Sequence, residues 1–426
     1  MLRSSLRSLS GNILIFGLSD LLGNFARSMV FPYASLYILS LGGNAAQIGL
    51  VALVSQMAGL VLLPVAGYIT DHSDRVRIIV LAGFLSSFFL LINVFAPSWE
   101  YAALAGLLVG IVVFQFPAYS SLIADSLPVG GRGQGLGMLN TLSNSLAIFA
   151  PFLAGVVIER YSPNLGMRYL YAAMLLLNLA GSFIQLRFLR ETAHAPRTPL
   201  RLAALLDALT GAYKAIPALV RAMPTPLRAL ALVVVLSFMG TALTGSFWVV
   251  YATQELKLNT AEWGLILLVE SVVRVALFLP AGLLVDRWGR TTTLALALVI
   301  WIVVTPMFVL LNGFAAVLIE RILLAVAFVL AIPASAALMA DLVPRAVRGQ
   351  MMAAIGQGGI VLGLIGTPGG PAVGYLIIPP LMVASYGGGL LYTLNPAAPW
   401  FFSTAAGLVA LVLLVIFIRD PKHAEH

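Results

Sequence analysis

Only 9% of this 426-residue chain is charged, while 61% is hydrophobic and the mean hydropathy is +1.01. A soluble domain carries about 25% charged residues, so most of this chain meets lipid rather than water. In lipid every backbone N–H and C=O must be paired inside the protein, and a spanning segment that pairs its own backbone is a helix. About 20 apolar residues cross ~30 Å of hydrocarbon. Twelve runs of that kind can be read, at 12–40, 45–70, 77–97, 100–125, 136–159, 168–189, 228–255, 261–285, 292–312, 315–341, 350–382 and 398–418. The expectation is an all-α integral membrane protein of twelve transmembrane helices.

The basic residues orient these spans. With the N-terminus inside, 18 of the 24 Lys and Arg fall on the cytoplasmic side, and only Arg160, Arg168 and Lys257 fall outside. That bias follows the positive-inside rule. It places both termini in the cytoplasm of a multi-pass cell-membrane protein and accounts for the net charge of +8 without nucleic acid. The opening MLRSSLRSLSGN runs into an apolar segment too long for the core of a signal peptide. There is no cysteine, and the four histidines (His72, His194, His423, His426) lie outside the apolar runs with no metal-pair spacing. No metal or other cofactor is expected.

The second half of the chain repeats phrases of the first. ADSLPVGGRGQ (124–134) returns as ADLVPRAVRGQ (340–350), with six of eleven positions identical. Gly67–Arg75 (GYITDHSDR) returns as Gly282–Arg290 (GLLVDRWGR), the two aspartates offset by 215 residues. Each half therefore carries a charged turn after its second span and another after its fourth, as expected of parallel half-repeats. The expected organisation is a six-helix bundle at 1–190, a cytoplasmic linker at 191–227, and a second pseudo-symmetric six-helix bundle at 228–426. Within the linker, RLAALLDALTGAYKAIPALVRA reads either as an amphipathic surface helix or as a partly ordered connection.

The G-x-x-x-D-R-x-G-R pattern resembles the loop motif of the major facilitator superfamily. The second copy fits throughout, with Gly282, Asp286, Arg287, Gly289 and Arg290. The first keeps Gly67, Asp71 and Arg75, but has His72 and Asp74 where the motif has Arg and Gly. In span five, Ala150-Pro151-Phe-Leu-Ala154-Gly155 is similar to the G-P-x-x-G-G pattern of that family's drug/proton antiporters; it also reads as an ordinary Pro kink with small-residue packing. The resemblance implies two bundles rocking about a central cavity that holds the substrate. Antiporters of the family carry an arginine at a point of span four where this chain has Ala105. The corresponding arginine here is Arg321, in span ten.

Charges inside spans cost roughly 2.5–3.5 kcal/mol each unless paired or hydrated. Asp20, Asn24 and Arg27 share one face of span one, and Glu270 and Arg274 are one turn apart in span eight. Asp20, Glu270, Arg27 and Arg274 are thus candidates for proton coupling, or else permanent ion pairs, with a gate role also open for Asp20. On the family's cavity-lining spans, Asn24, Gln56, Gln115, Tyr119, Asn140, Asn144, Trp248, Tyr251, Gln357 and Arg321 are substrate-cavity candidates, or else bonds between helices. The repeated turns supply a candidate cytoplasmic gate: Asp71, Arg75, Asp125, Arg132, Asp286, Arg287, Arg290, Asp341 and Arg348. Pro128 and Pro344 are read as helix stops. Residues 356–374 hold eight glycines and two prolines, and a broken or bent helix is expected there.

Nothing in the spans pairs a nucleophile with a base, and no Walker A phrase is present, so the chain does not read as an enzyme. The function expected is a secondary active transporter, monomeric and alternating in access, exporting a small apolar or amphiphilic molecule in exchange for protons. A proton-coupled importer of a polar metabolite, a lipid or lysolipid flippase, another coupling ion, and a non-transporting membrane sensor remain alternatives.

Overall fold

A computed structural model describes residues 11–127, 132–192, 201–343, 348–356, 359–366 and 373–420. The first spans are α1 (Asn12–Ser40), α2 (Ala45–Asp71), α3 (Arg75–Phe95) and α4 (Trp99–Ser126). The fifth begins as α5 (Arg132–Asn144) and continues into α6 (Ala150–Phe188), which also forms the sixth. The connection holds α7 (Leu202–Ala222). Then come α8 (Thr225–Gln254), α9 (Thr260–Trp288), α10 (Arg290–Met307) and α11 (Phe314–Leu342). The eleventh span is α12 (Arg348–Ile355) and α13 (Ile378–Leu394), and the twelfth is α14 (Ala398–Phe417). Twelve spans alternate between a linker face, on which α7 is entered and left, and a far face.

Two boundaries differ from the sequence reading. Spans five and six are joined by a bend, not a loop. Ser162 has φ +71° and Pro163 follows it, so the helix turns there within α6. The eleventh span runs about twelve residues beyond its expected end at 382, because its continuous helix starts only at the Ile378-Pro379-Pro380 step and reaches Leu394. Proline at the first helical positions starts a helix, while the glycine-rich stretch before it cannot sustain one. The described residues between α12 and α13 are non-helical, as expected for a broken span, with Gly356, Gly363 and Gly366 at positive φ.

Identical local chemistry starts the second span of each half. Asn44 caps α2 by accepting from Gln47 N at 3.0 Å, and Gln47 Oε1 accepts from Asn44 N at 2.7 Å. Asn259 and Glu262 repeat that reciprocal capping box at the start of α9. The residues are 215 positions apart, the same offset as the charged turns.

The contacts joining the two sets of spans run from the midplane to the far face. Glycines permit the closest of them. A Cβ on Gly49 would lie 2.7 Å from Ser385 O and 3.1 Å from Gly389 Cα, and one on Gly389 would lie 2.6 Å from Ala45 O, so α2 and α13 touch backbone to backbone. A second seam joins α6 to α9: a Cβ on Gly155 would lie 2.2 Å from Thr260 O, and one on Gly264 2.8 Å from Pro151 O. The Tyr33 hydroxyl, fully buried, donates to Pro151 O at 2.8 Å and lies 3.4 Å from Thr260 O. Glu159 accepts from Thr260 N at 3.0 Å and from its hydroxyl at 2.8 Å, which puts a carboxylate on the N-terminus of α9. Leu279, Phe95, Leu176, Phe88 and Val415 are among the exposed large apolar side chains that present the outer surface to lipid.

Candidate functional site

The deepest charges lie in the second half. Glu270 of α9 is buried and carries the charge of two arginines. Arg321 of α11 grips it in a two-pronged contact, Nε to Oε2 at 2.8 Å and Nη2 to Oε1 at 2.9 Å. Arg274, one turn along α9, also donates to Glu270 Oε1. A planar guanidinium suits such a fork. The same Arg321 Nη2 donates to Gly363 O at 3.0 Å. That carbonyl is available because the eleventh span is unwound there. Aromatic faces complete the enclosure: Arg321 lies 4.6 Å from the Trp248 ring centroid and Arg274 4.0 Å from that of Phe328.

Beside this cage stands Glu320, only 2% exposed, with no hydrogen-bond partner for either carboxylate oxygen among the described residues. Arg321 Nη1 is likewise unpartnered. A buried carboxylate without partners requires an explanation, and the sequence reading had passed over it. Its signal was present: Glu320 and Arg321 adjoin, and adjacent helix positions point about 100° apart, and no hydrogen bond joins them.

The first half has an open counterpart. Asp20 accepts from the Tyr119 hydroxyl across α1 and α4, and the Tyr119 ring packs edge-on against Phe16 at 4.7 Å. Arg27 is exposed and donates to Asn24 Oδ1 at 2.6 Å. Asn24 Nδ2 in turn donates to Ser143 O at 3.1 Å and Asn144 Oδ1 at 3.2 Å, so it holds the end of α5. An Asp20–Arg27 ion pair is not formed. Seven residues of helix separate the two by ~10 Å along the axis, and each takes a different partner.

Several cavity candidates have other partners in this arrangement. Arg321 is fully buried and belongs to the ion cage. Trp248 is also fully buried, stacked under Arg321 and packed at 4.6 Å on Phe308 and 5.5 Å on Trp400. Tyr251 joins that aromatic core and donates to Val309 O at 3.2 Å. These large rings face the interior because the second half packs its core around them. Gln56 bridges the seam, donating to Ser385 Oγ at 3.1 Å and Ala52 O at 2.9 Å. Gln115 is half-buried in a 3-10 turn of α4, and Asn144 is exposed. Gln357 lies outside the described residues.

At the linker face the two turns form the same tie. Arg75, at the start of α3, pairs with Asp125 at the end of α4 at 2.6 Å. Arg290, at the start of α10, pairs with Asp341 at the end of α11. Each tie lies within one half. Asp71, Asp286, Arg287 and Arg132 are exposed. The side chain of Arg348 lies outside the described residues, as do Pro128 and Pro344. The helices before those prolines end at Ser126 and Leu342. Among the described residues no group of His, Asp and Glu is placed to hold a metal ion.

Known proteins share this architecture. The chain is 23% identical over 393 residues to an uncharacterized MFS-type transporter of Methanocaldococcus jannaschii, covering 89% of this chain and 92% of that protein. Over shorter stretches it is similar to the multidrug resistance protein MdtG of Serratia proteamaculans (27% over 174 residues, 39% of this chain and 41% of that one). It is also similar to the quinolone resistance protein NorA of Staphylococcus aureus (23% over 190 residues, 44% and 43%). Among solved structures, a bacterial homologue of the iron transporter ferroportin in an inward-facing state aligns over 97% of this chain and 98% of its own, with TM-score 0.71 and 16% identity. A nucleoside transporter aligns over 96% and 99%, with TM-score 0.64 and 15% identity. The Major Facilitator Superfamily model matches residues 17–225 and 230–426. With twelve spans, repeated turns and matches along almost its entire length, the chain belongs to the major facilitator superfamily and is a multi-pass membrane transporter.

Proposed function

We propose that the protein is a proton-coupled exporter of small apolar or amphiphilic molecules, working by alternating access as a monomer in the cell membrane. The observation that carries this reading is Glu320: a carboxylate inside a span, shielded from solvent and without a hydrogen-bond partner among the described residues, next to a cage whose other carboxylate is already claimed by two arginines. Such a group accepts and releases a proton without dismantling the packing around it. Glu270 instead keeps Arg274 and Arg321 neutralised. Export is supported by the multidrug relatives named above. The Lys and Arg bias supports termini in the cytoplasm, which makes the linker face the inner one.

In this cycle the substrate meets the open strip of Asp20, Asn24, Arg27 and Asn144, and the two arginine–aspartate ties stiffen the inner ends of the bundles as they rock. The test is transport in proteoliposomes of a panel of fluorescent cationic and neutral amphiphiles, with and without an imposed pH gradient. Gradient-driven accumulation is expected for the wild type and its loss for Glu320→Gln, with downhill movement retained. Accumulation indifferent to the gradient sinks the proton-coupled reading.

A further inference from the structure

The linker helix α7 is long and apolar enough to be a span, yet its side chains are hardly covered: of the described ones only Leu219 is buried. One contact explains where it lies. Pro64, inside α2, has no N–H, so the Leu60 carbonyl four residues earlier lacks its ordinary helix partner. In hydrocarbon an unsatisfied carbonyl costs several kcal/mol. The Tyr213 hydroxyl of α7 donates to this carbonyl at 2.7 Å. The ring of Tyr213 meets Tyr375 edge-on, with centroids 5.8 Å apart. Tyr375 belongs to the non-helical stretch ahead of α13 and is tied to α12 through Ala353 O at 3.3 Å.

Tyr213 therefore touches the kink of α2 in the first half and the unwound part of the eleventh span in the second. These are the two bendable elements of the seam that α2 and α13 share. The fastening is narrow: beside Tyr213, Ile216 and the buried Leu219 seat the helix on the core, and an apolar groove of about 400 Å³, lined by Leu60, Val61, Leu209, Thr210, Tyr213 and Lys214, flanks it. The eighth span, the counterpart of α2, carries Pro280, but among the described residues no side chain donates to its stranded carbonyl at Ala276. Among the described residues the device is thus found at one seam.

We propose that α7 is a strap across the α2–α13 seam, with Tyr213 as the positioning residue that holds the two halves in the arrangement described above. The inference needs only the family's rocking motion and does not rest on proton coupling. The chain has no cysteine, so Arg77→Cys and Trp288→Cys, both exposed at the linker face of opposite halves, can carry spin labels without background. Their distance distribution is measured in lipid nanodiscs. Tyr213→Ala is expected to lower the share of the wild-type distance at least twofold. Tyr213→Phe keeps the ring and lowers it less. In a Pro64→Ala background, where Leu60 regains its own N–H partner, Tyr213→Phe is expected to have no effect. Unchanged distributions in both tyrosine variants overturn the proposal, as does an equal effect of Tyr213→Phe with and without Pro64. If Tyr213→Ala does not fold, Tyr213→Phe and the Pro64 comparison decide alone.

Discussion

The two halves start their third and ninth spans with the same arginine, but they reach it by different backbones. In the first, Asp74 is extended (φ −65°) and caps α3 by accepting from Arg77 N at 3.0 Å. In the second, Gly289 takes that position with φ +87° and ψ 155°, a region essentially reserved for glycine. Glycine has no side chain to cap with, and Asp420 does it from beyond α14, accepting from Thr291 N at 2.8 Å and its hydroxyl at 2.9 Å. The interior charges diverge in the same way. The first half leaves Arg27 exposed and Asp20 on a tyrosine, while the second buries Glu270, Glu320 and Arg321, with Arg274 at the edge. A duplicated scaffold has kept its ties and changed what they enclose: one half holds an accessible polar strip, the other a closed electrostatic core.

The sharpest way to break this contrast is to remove one member of the sealed core. Arg321→Met removes the two-pronged partner and leaves Glu270 with Arg274 alone, and loss of one partner of a buried pair costs about 3–5 kcal/mol. The melting temperature followed by intrinsic tryptophan fluorescence is expected to fall furthest in this variant, and Arg321→Met with Glu270→Gln to recover part of the loss. Next comes Gly289→Ala. Its Cβ would lie 2.1 Å from Asp420 Oδ2 on a backbone hostile to side chains, at a cost on the order of 1–3 kcal/mol. The matching Asp74→Gly replaces a cap by glycine, worth only a few tenths of a kcal/mol; equal losses from the two would erase the claimed difference between the loops.

A smaller effect is expected from Arg75→Ala. Asp125 is 44% exposed in that ion pair, and such pairs contribute about 0–1 kcal/mol. Thermal melts at low and high salt check it, the variant's deficit shrinking as salt rises. Smallest in stability is Arg27→Gln, within about 0.5 kcal/mol for an exposed position. Its expected signature is functional: weaker substrate affinity in a transport assay at an unchanged melting point. A large drop in melting temperature would show that the first half is sealed as well.

The spans were legible because lipid imposes length and apolarity on every crossing helix, and the repeat was legible because the turns reuse the same residues. Glu270 with Arg274 was readable from spacing along one helix. Arg321 was not: its bond to Glu270 crosses from α11 to α9, and spacing along a single helix does not encode which neighbour faces it. The aromatic packing of Trp248 and Tyr251 was not legible for the same reason, since an aromatic on a spanning helix packs equally well toward several neighbours. The late start of α13 was obscured by glycines that continue the apolar pattern without continuing the helix.

The seam of bare backbone at Gly49 and Gly389 has one more consequence. Contacts between atoms this close lose roughly a quarter to a half of their attraction over the first 0.5–1 Å of separation, and the Gln56–Ser385 bond ties the two helices across the same gap. A joint of this kind weakens steeply with the first small separation. Its parting releases no side-chain rotamers, since glycine has none to release. The far face then gives way steeply, under whatever strains the helices on either side of it.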